Sequence, residues 1–337
     1  MKYWLLSENG NDYKANLHCH TVLSDGSLTP QEVKELYMSK GYSIIAYTDH
    51  DVFIPHPELN DDNFLALHGF EVEINEPHGG GFELAKTTHL CFIALDKNII
   101  NQPCWHRTQY QFANACQSKS QVKFDESKED YIRVYSDEGI NAFMKECKDC
   151  GFFATYNHPS WSLQDYTDWN GYSEMNALEI FNGACIQEGF DDDNHIVYDT
   201  LLRQGKRIFA IAGDDNHHRH DTGIAYTVIR SNELAYEPIA ESLKNGNFYT
   251  SMGPEIKELY VEDGSVYVKC SPAQKIVFTT GIRHVKTVYP KEGETTVTEG
   301  SFELLHHDKY FRVSVMGPDG KMAYSNAYYP ENYNITK

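Results

Sequence analysis

Apolar runs and helical periodicity alternate along the first three quarters of the chain. Short apolar runs predict buried strands, for example residues 43–48 (SIIAYT) and 152–156 (FFATY). Between such runs the spacing predicts helices, as over residues 30–40, where Thr29 is a favourable N-cap and Pro30 suits the first turn. The repeated strand-then-helix units predict an α/β fold with a parallel sheet, either closed or open.

Two regions depart from this alternation. Residues 97–135 are polar and aromatic without a clear period, which is typical of a lid or an irregular insertion. From Glu255 onward helical spacing disappears, and short alternating segments separated by turns such as residues 317–320 (GPDG) predict a small all-β, sandwich-like domain. The predicted domains are therefore residues 1–253, with the insertion, and residues 254–337.

Charge limits the partners that we expect. Of the 337 residues, 29 are Lys or Arg and 49 are Asp or Glu, which gives a formal net charge of −20. Such a surface repels phosphate backbones and anionic membranes, so we expect neither long nucleic acid nor a membrane as a partner. The sequence has no run of about 18 apolar residues to predict a spanning helix, and its beginning is too polar for a signal peptide. We therefore expect a cytoplasmic protein.

Histidines and carboxylates concentrate at the ends of six predicted strands. The candidate side chains are His18, His20, Asp25, His50, Glu71, His89, His158, Asp215 and His217. Taken alone, a histidine in an apolar strand, such as His89, is more often a structural core residue. Because the carboxyl ends of parallel strands converge on one rim, the coincidence across six strands favours a common site.

This mixture of side chains indicates the kind of ion that the site would hold. Imidazoles with carboxylates favour Zn, Mn or Fe, whereas Mg prefers oxygen ligands alone. Nine ligands exceed the coordination number of one ion. We therefore expect two or three divalent metal ions that share a bridging carboxylate.

Six segments resemble the motifs of the PHP (polymerase and histidinol phosphatase) superfamily. They are NLHCHTVLSDGSLTPQEV, GYSIIAYTDHDV, HGFEVEI, THLCFIAL, ATYNHPS and IAGDDNHH, and they span residues 16–218. Together these six segments contain all four family motifs, in order. Members of this superfamily are metal-dependent phosphoesterases, and the resemblance implies a distorted (β/α)7 barrel of PHP type for residues 1–253. Phrases such as GNFYTSMGPEI resemble the β-domain that follows the barrel in some PHP proteins.

The resemblance implies a trinuclear metal centre. The first metal would be held by His18, His20, Glu71 and Asp215. Glu71 would bridge to the second metal, which would also take His89 and His158, and the third would be held by Asp25, His50 and His217. The family pattern selects Glu71 over Glu73 and Asp215 over Asp214, which stands where a serine is usual. We expect Asp49 to orient its neighbour His50.

The activity implied by the resemblance is hydrolysis of a phosphate ester. The attacking group would be a metal-bound hydroxide held by His18, His20, Glu71 and Asp215, without a side-chain nucleophile. The expected substrate is small: a phosphomonoester such as a sugar phosphate, nucleotide or histidinol phosphate, or a small phosphodiester. Arg219 is a candidate phosphate clamp, although a solvated surface arginine fits the pattern equally well, and Trp161 is a candidate cavity wall.

Other functions stay open at this point. A nuclease acting on short oligonucleotides and a hydrolase of C–N bonds would both use clustered metals. A non-catalytic metal- or ligand-binding regulatory module is the alternative from a different class. The C-terminal β-domain is expected to pack against the barrel and to offer contacts for a homo-oligomer, with carbohydrate or protein binding as its rival role.

Overall fold

The computed structural model describes residues 1–77, 82–333 and 335 of the chain. The strands are β1 (Lys2–Trp4), β2 (Asn11–Asn16), β3 (Ile44–Tyr47), β4 (Leu65–Asn75), β5 (Thr87–Ala94), β6 (Phe152–Asn157), β7 (Ala177–Asn182), β8 (Phe209–Gly213), β9 (Tyr226–Ser231), β10 (Phe248–Ser251), β11 (Ile256–Glu262), β12 (Ser265–Ala273), β13 (Lys275–Thr280), β14 (Lys286–Val288), β15 (Val297–Glu303), β16 (Phe311–Met316) and β17 (Met322–Ser325). The helices are α1 (Pro30–Met38), α2 (Ala115–Ser118), α3 (Asp137–Asp149), α4 (Tyr166–Trp169), α5 (Gly183–Glu188), α6 (His195–Arg203) and α7 (Tyr236–Asn245). Within these described ranges, every helix falls short of the length and apolar character that crossing a bilayer requires.

Helix α1 begins where the sequence predicts. The Thr29 hydroxyl accepts a hydrogen bond from the Glu32 N–H at 3.2 Å, and the Glu32 carboxylate accepts one from the Thr29 N–H at 2.8 Å. This reciprocal pair is a capping box, which satisfies two backbone donors at the helix start. The helix buries Val33 and Tyr37 against the sheet and ends at Met38, two residues before the predicted end.

The large sheet is mixed, so the predicted parallel sheet is only partly correct. Its thirteen strands run in the order β14-β13-β16-β17-β10-β9-β2-β3-β4-β5-β6-β7-β8. Strands β2, β3 and β4 pair in parallel, as do β6, β7 and β8, but β5 is antiparallel to both of its neighbours. The described residues between β4 and β5 contain no α-helix. Without a crossover helix, the returning strand pairs antiparallel.

The two ends of the α/β part of this sheet approach each other through loop backbone. Among the described residues no strand ladder joins β8 to β2, so no closed sheet is formed by strand pairing. Instead, the N–H of Asp215 donates to the carbonyl of His18 at 3.0 Å, and the N–H of His20 donates to the carbonyl of Asn216 at 3.2 Å. These bonds place the segment that follows β8 directly beside the segment that follows β2.

The C-terminal strands are divided between the large sheet and a second, smaller sheet. Strands β13, β14, β16 and β17 extend the large sheet, because β17 pairs with β10. A second, four-stranded sheet has the order β1-β11-β12-β15, so the N-terminal strand also pairs with the C-terminal region. Sequence patterns do not reveal β1, β14 and β15, because most of their side chains are only partly buried or exposed. The domain boundary after residue 253 stays a prediction.

A buried ion pair joins α6 to β16. The Arg312 guanidinium donates to the two carboxylate oxygens of Asp199 at 2.8 and 2.7 Å, and the Tyr310 hydroxyl donates to the same carboxylate at 3.0 Å. Both side chains of the ion pair are almost completely removed from solvent. A charge left without its partner in such a place is strongly destabilising.

Replacing Asp199 with Asn should lower the free energy of unfolding by about 3 kcal/mol at pH 7, because Arg312 then lacks its counter-charge. Burial alone would raise the pKa of Asp199, but the bonds from Arg312 and Tyr310 lower it below the ordinary value of 3.8. The stabilisation is therefore complete above pH 3.8 and is lost as the pH falls further. Equilibrium denaturation in urea measures the free energy of unfolding of the wild type and of the variant. The exposed Asp191→Asn is the control, and equal stability of the two variants would contradict this role.

Candidate metal centre

One rim of the large sheet brings all nine predicted ligands together. Their ligand atoms form overlapping groups, each with all members within 4.8 Å of one another. The groups are His20, Asp25, His50 and His217; His18, His20, Glu71 and Asp215; His18, His158 and Glu179; and His50, Glu71 and His89. The clustering that the sequence predicts is therefore present in the fold.

Glu71 lies at the centre of the cluster. Its side chain is completely buried, and ring nitrogens of five histidines surround its two oxygens. The distances are 3.2 Å to His18, 3.2 Å to His20, 3.3 Å to His50, 3.1 Å to His89 and 3.5 Å to His158. Burial alone would raise the pKa of Glu71, but the imidazoles of His18, His50, His89 and His158 hold it well below its usual range. Glu71 is therefore a carboxylate in the folded protein.

Glu73 lies at the edge of the same cluster. Its nearest imidazole contact is 3.6 Å, between its Oε2 and His89 Nε2, and its Oε1 accepts from Asn75 Nδ2 at 3.0 Å. Glu71, with imidazoles on both carboxylate oxygens, is thus the better placed of the two acids to bridge ions. This geometry agrees with the choice of Glu71 made from the G-x-E pattern.

His89 reaches the rim from an unexpected end of its strand. It lies near the amino end of β5, opposite Glu73 in the antiparallel pairing with β4. Because β5 runs against β4, its amino end meets the carboxyl end of β4. Burial alone would lower the pKa of His89, but Glu71 and Glu73 raise it to about 10. In the absence of another cation, the carboxylates thus attract a proton to this ring.

Asp215 and Asp25 are the other two carboxylates among the predicted ligands. The Oδ1 atom of Asp215 lies 3.2 Å from His18 Nε2 and 3.0 Å from His20 Nε2. The Oδ2 atom of Asp25 lies 3.2 Å from His217 Nε2. Burial alone would raise the pKa of Asp25, but a hydrogen bond from His217 and the nearby histidines lower it. Despite burial, the pKa of Asp215 is lowered as well, by His18, His20 and His217. Both acids are therefore carboxylates that can bind a cation.

Two predicted ligands have a strained backbone. His158 has φ of 25° and Asp215 has φ of 52°, in the left-handed region that residues with a side chain rarely adopt. Hydrogen bonds hold both in place: the His158 N–H donates to Glu179 at 3.1 Å, and the Asp215 N–H donates to the His18 carbonyl. Such strain is typical of functional sites, where the surroundings fix one geometry.

Asp214 and Asp49 support the loops that carry ligands. Buried Asp214 accepts hydrogen bonds from the N–H groups of residues 223–225 at 2.5 to 2.8 Å and from the Tyr37 hydroxyl at 2.9 Å. Asp49 accepts from the Thr21 N–H at 2.7 Å and from the hydroxyls of Thr21 and Ser24, both at 2.8 Å. The expected role of Asp49 in orienting His50 is thus corrected: it fixes the turn between His20 and Asp25.

Glu179 belongs to one of the ligand groups, and the sequence analysis missed it. It is completely buried in β7. Its Oε1 lies 2.9 Å from His18 Nδ1, while its Oε2 accepts from the His158 N–H and, at 3.0 Å, from Asn182 Nδ2. With Nδ1–H of His18 donated to Glu179, Nε2 of the ring is left to bind a cation. The available signal was a single carboxylate inside an otherwise apolar strand, ALEIFN.

The donor set fits divalent metal ions. Five buried side-chain atoms of the predicted ligands have no hydrogen-bond partner among the described residues: His20 Nδ1, His50 Nδ1, Glu71 Oε2, His89 Nε2 and Asp215 Oδ1. A buried polar atom without a partner is costly, so several in one cluster indicate a missing binding partner. Mixed imidazole and carboxylate donors are those that first-row transition metals prefer.

A cavity of about 720 Å³ opens above the cluster. Seven of the nine predicted ligands line its floor, all except His18 and His20, and its walls include Trp161, as expected, and Phe112 from the 97–135 insertion. The insertion is anchored at this point, because the Asn114 N–H donates to the Ser24 carbonyl at 2.9 Å. Arg219 is exposed and is not among the described residues that line the cavity, so its role as a phosphate clamp stays a prediction.

Comparisons with known proteins concern the fold. No protein-family model matches the sequence, and no curated protein matches it. The chain is similar to a two-domain protein containing a predicted PHP-like metal-dependent phosphoesterase from Bacteroides vulgatus ATCC 8482, at 16% identity, covering 97% of this chain and 98% of that one, with a TM-score of 0.45.

Two further similar structures each cover 69% of this chain. An amidohydrolase from Chromobacterium violaceum matches at 16% identity over 69% of this chain and 96% of that one, with a TM-score of 0.40. The lesion-specific endonuclease PfuEndoQ from Pyrococcus furiosus matches at 13% identity over 69% of this chain and 56% of that one, with a TM-score of 0.38. At such identities these similarities assign no function to this chain.

Replacing Glu71 with Gln should remove at least one bound metal ion per chain, because the carboxylate belongs to two of the ligand groups. Elemental analysis after dialysis against zinc or manganese measures the metal content. The control is Glu73→Gln, which leaves the groups intact and should keep the wild-type content. Equal metal content in wild type and Glu71→Gln would contradict the central position of Glu71.

Replacing Glu179 with Gln should weaken metal binding by about tenfold, because a ligating histidine loses the carboxylate that orients it. Competition with a chromophoric chelator gives the dissociation constant for zinc. Glu174→Gln, which alters a partly exposed acid paired with Lys148, is the matched control. If Glu179→Gln binds zinc as tightly as the control, Glu179 does not position His18.

Proposed function

We propose that this protein is a metal-dependent phosphoesterase that hydrolyses a small phosphorylated molecule. The observation that carries the proposal is the set of overlapping imidazole and carboxylate groups on the floor of the 720 Å³ cavity. Cavities of about 300–1,000 Å³ are typical of small-molecule sites. The candidate substrates are phosphomonoesters, such as a sugar phosphate, nucleotide or histidinol phosphate, and small phosphodiesters.

The metal arrangement that we infer has three positions. His18, His20, Glu71 and Asp215 would hold the first, Glu71 with His89 and His158 the second, and Asp25, His50 and His217 the third. The distances support the first and third positions, because the first set is one of the groups within 4.8 Å and the third set, with His20, is another. For the second position, His89 groups with His50 and Glu71, whereas His158 groups with His18 and Glu179. Zn, Mn or Fe suit these donors better than Mg.

Divalent ions bound there would supply positive charge to the phosphate oxygens and would lower the pKa of a bound water toward about 7. The protein's own part is to position these ions and to exclude bulk water beneath them. His18, His20 and Glu71 are completely buried, and low-dielectric surroundings strengthen each charge interaction on the cavity floor. Glu179 holds the proton on His18 Nδ1, which keeps Nε2 directed toward Glu71 and Asp215.

A side-chain nucleophile is not part of the proposal. Cys185 lines the cavity, but burial raises the pKa of its thiol far above the ordinary value, which leaves little of the reactive thiolate. The net charge of −20 is compatible with an anionic substrate, because attraction by clustered cations at short range outweighs screened repulsion by the surface.

We further infer that residues 1–253 form a distorted (β/α)7 barrel of PHP type and that residues 254–337 form a small β-domain. The bonds between the segments after β2 and β8 support the barrel, since they bring the two ends of the α/β part together. The second sheet of β1, β11, β12 and β15 supports the β-domain, to which the N-terminal strand adds.

The metal-loaded protein should hydrolyse at least one member of a panel of a sugar phosphate, a nucleoside monophosphate, histidinol phosphate and bis(4-nitrophenyl) phosphate. Replacing His20 with Ala should lower kcat by about 1,000-fold, because His20 belongs to two ligand groups. Release of phosphate or nitrophenol measures the rate, and His307→Ala, at an exposed histidine, should keep the wild-type rate.

Each other function predicts a different result in this assay. Hydrolysis of short oligonucleotides alone would indicate a nuclease, and hydrolysis of amides alone would indicate a C–N hydrolase. Full metal content without turnover of any ester would favour a regulatory module. Any of these three outcomes would contradict the proposed function.

A further inference from the structure

The walls of the cavity carry an unusual charge for a site that would take an anion. Among the described residues that line it there is no lysine or arginine. Three carboxylates lie there besides those of the ligand groups: Glu73, Glu188 and Asp221. Apart from the imidazoles of His218 and His220, the charged side chains that a substrate meets away from the predicted ligands are therefore carboxylates.

The three carboxylates differ in how far their charge is compensated. Asp221 accepts hydrogen bonds from the N–H groups of His217 and His218, at 3.1 and 2.7 Å, and lies 3.1 Å from His220 Nε2. Glu73 contacts Asn75 and His89. Glu188, at the exposed end of α5, makes no ion pair with another described residue. Glu188 is thus the uncompensated charge at the mouth of the cavity.

Two aromatic side chains form the apolar part of the walls. The ring of Phe112 packs on His50 with centroids 4.9 Å apart, and the ring of Trp161 meets His89 and His158 edge-on at 5.3 and 5.2 Å. Each aromatic ring therefore adjoins imidazoles of the ligand groups. A group esterified to a phosphate on the cavity floor would lie within reach of these rings.

We propose that the cavity selects esters in which a single phosphate is joined to an alcohol that carries a flat ring and no second anion. The inference rests on the proposed function and adds its substrate class. Phe112 and Trp161 contact the ring, and Glu188, supported by Glu73, disfavours a second phosphate or a carboxylate. Aromatic contact and like-charge repulsion each act on the part of the substrate that the metal ions do not reach.

Three substrates separate these effects: adenosine 5′-monophosphate, adenosine 3′,5′-bisphosphate and ribose 5-phosphate. The monophosphate should have a kcat/KM about tenfold above that of the bisphosphate, because the second phosphate approaches Glu188. It should also exceed ribose 5-phosphate by about tenfold, because only the base can stack on an aromatic ring. The difference from ribose 5-phosphate should lie mainly in KM.

Two variants assign the preferences to residues. Glu188→Lys should bring the monophosphate-to-bisphosphate ratio close to one, and Glu188→Gln should move it in the same direction by less. Glu8→Lys makes the same change in net charge at an exposed residue outside the cavity and should leave the ratio as it is. Phe112→Ala should lower the ratio of adenosine monophosphate to ribose 5-phosphate, whereas Phe190→Ala, at an exposed aromatic residue, should not.

The inference is overturned if the bisphosphate is hydrolysed as well as the monophosphate, or if neither Glu188 variant moves their ratio. It is also overturned if ribose 5-phosphate matches the nucleotide. Turnover of phosphate esters without these preferences would leave the proposed function standing. Failure to hydrolyse any ester would overturn both.

Discussion

A buried carboxylate enclosed by imidazoles is the interaction on which the rest of this structure depends. Glu71 has no exposed surface, and a buried charge is stable only where other charges or donors compensate it. The compensating rings come from segments far apart in the sequence, at His18, His20, His50, His89 and His158. Each of these segments must therefore hold its position for the others to be stable.

The mixed sheet is what allows so many segments to meet at one rim. The segments that follow parallel strands β2 and β3 present His18, His20 and His50, and β4 itself presents Glu71. The reversed strand β5 adds His89 from its amino end, directly across from β4. A parallel strand in that place would present its carboxyl end instead, and a crossover helix would have to fit between the two. The antiparallel return supplies a ligand with a short connection.

Loops at the rim are held by carboxylates that do not face the cluster. Asp49 fixes the turn between His20 and Asp25, and Asp214 holds the chain after the last ligand segment. The insertion is tied in by Arg133, which bonds to Asp51 and, at 2.8 Å, to the carbonyl of Glu73. The insertion that carries Phe112 to the cavity wall is thus anchored beside the predicted ligands.

The amino-acid sequence by itself determined the candidate ligands, the start of α1 and most of the strands. These features are local: a capping box lies within four residues, and a polar residue ending an apolar run is visible without knowing its neighbours. The tertiary structure alone decided the direction of β5, the hydrogen bond from His18 to Glu179, and which turn Asp49 supports. Local patterns report burial and period, whereas pairing direction and the partner of a buried polar group depend on residues distant in the chain.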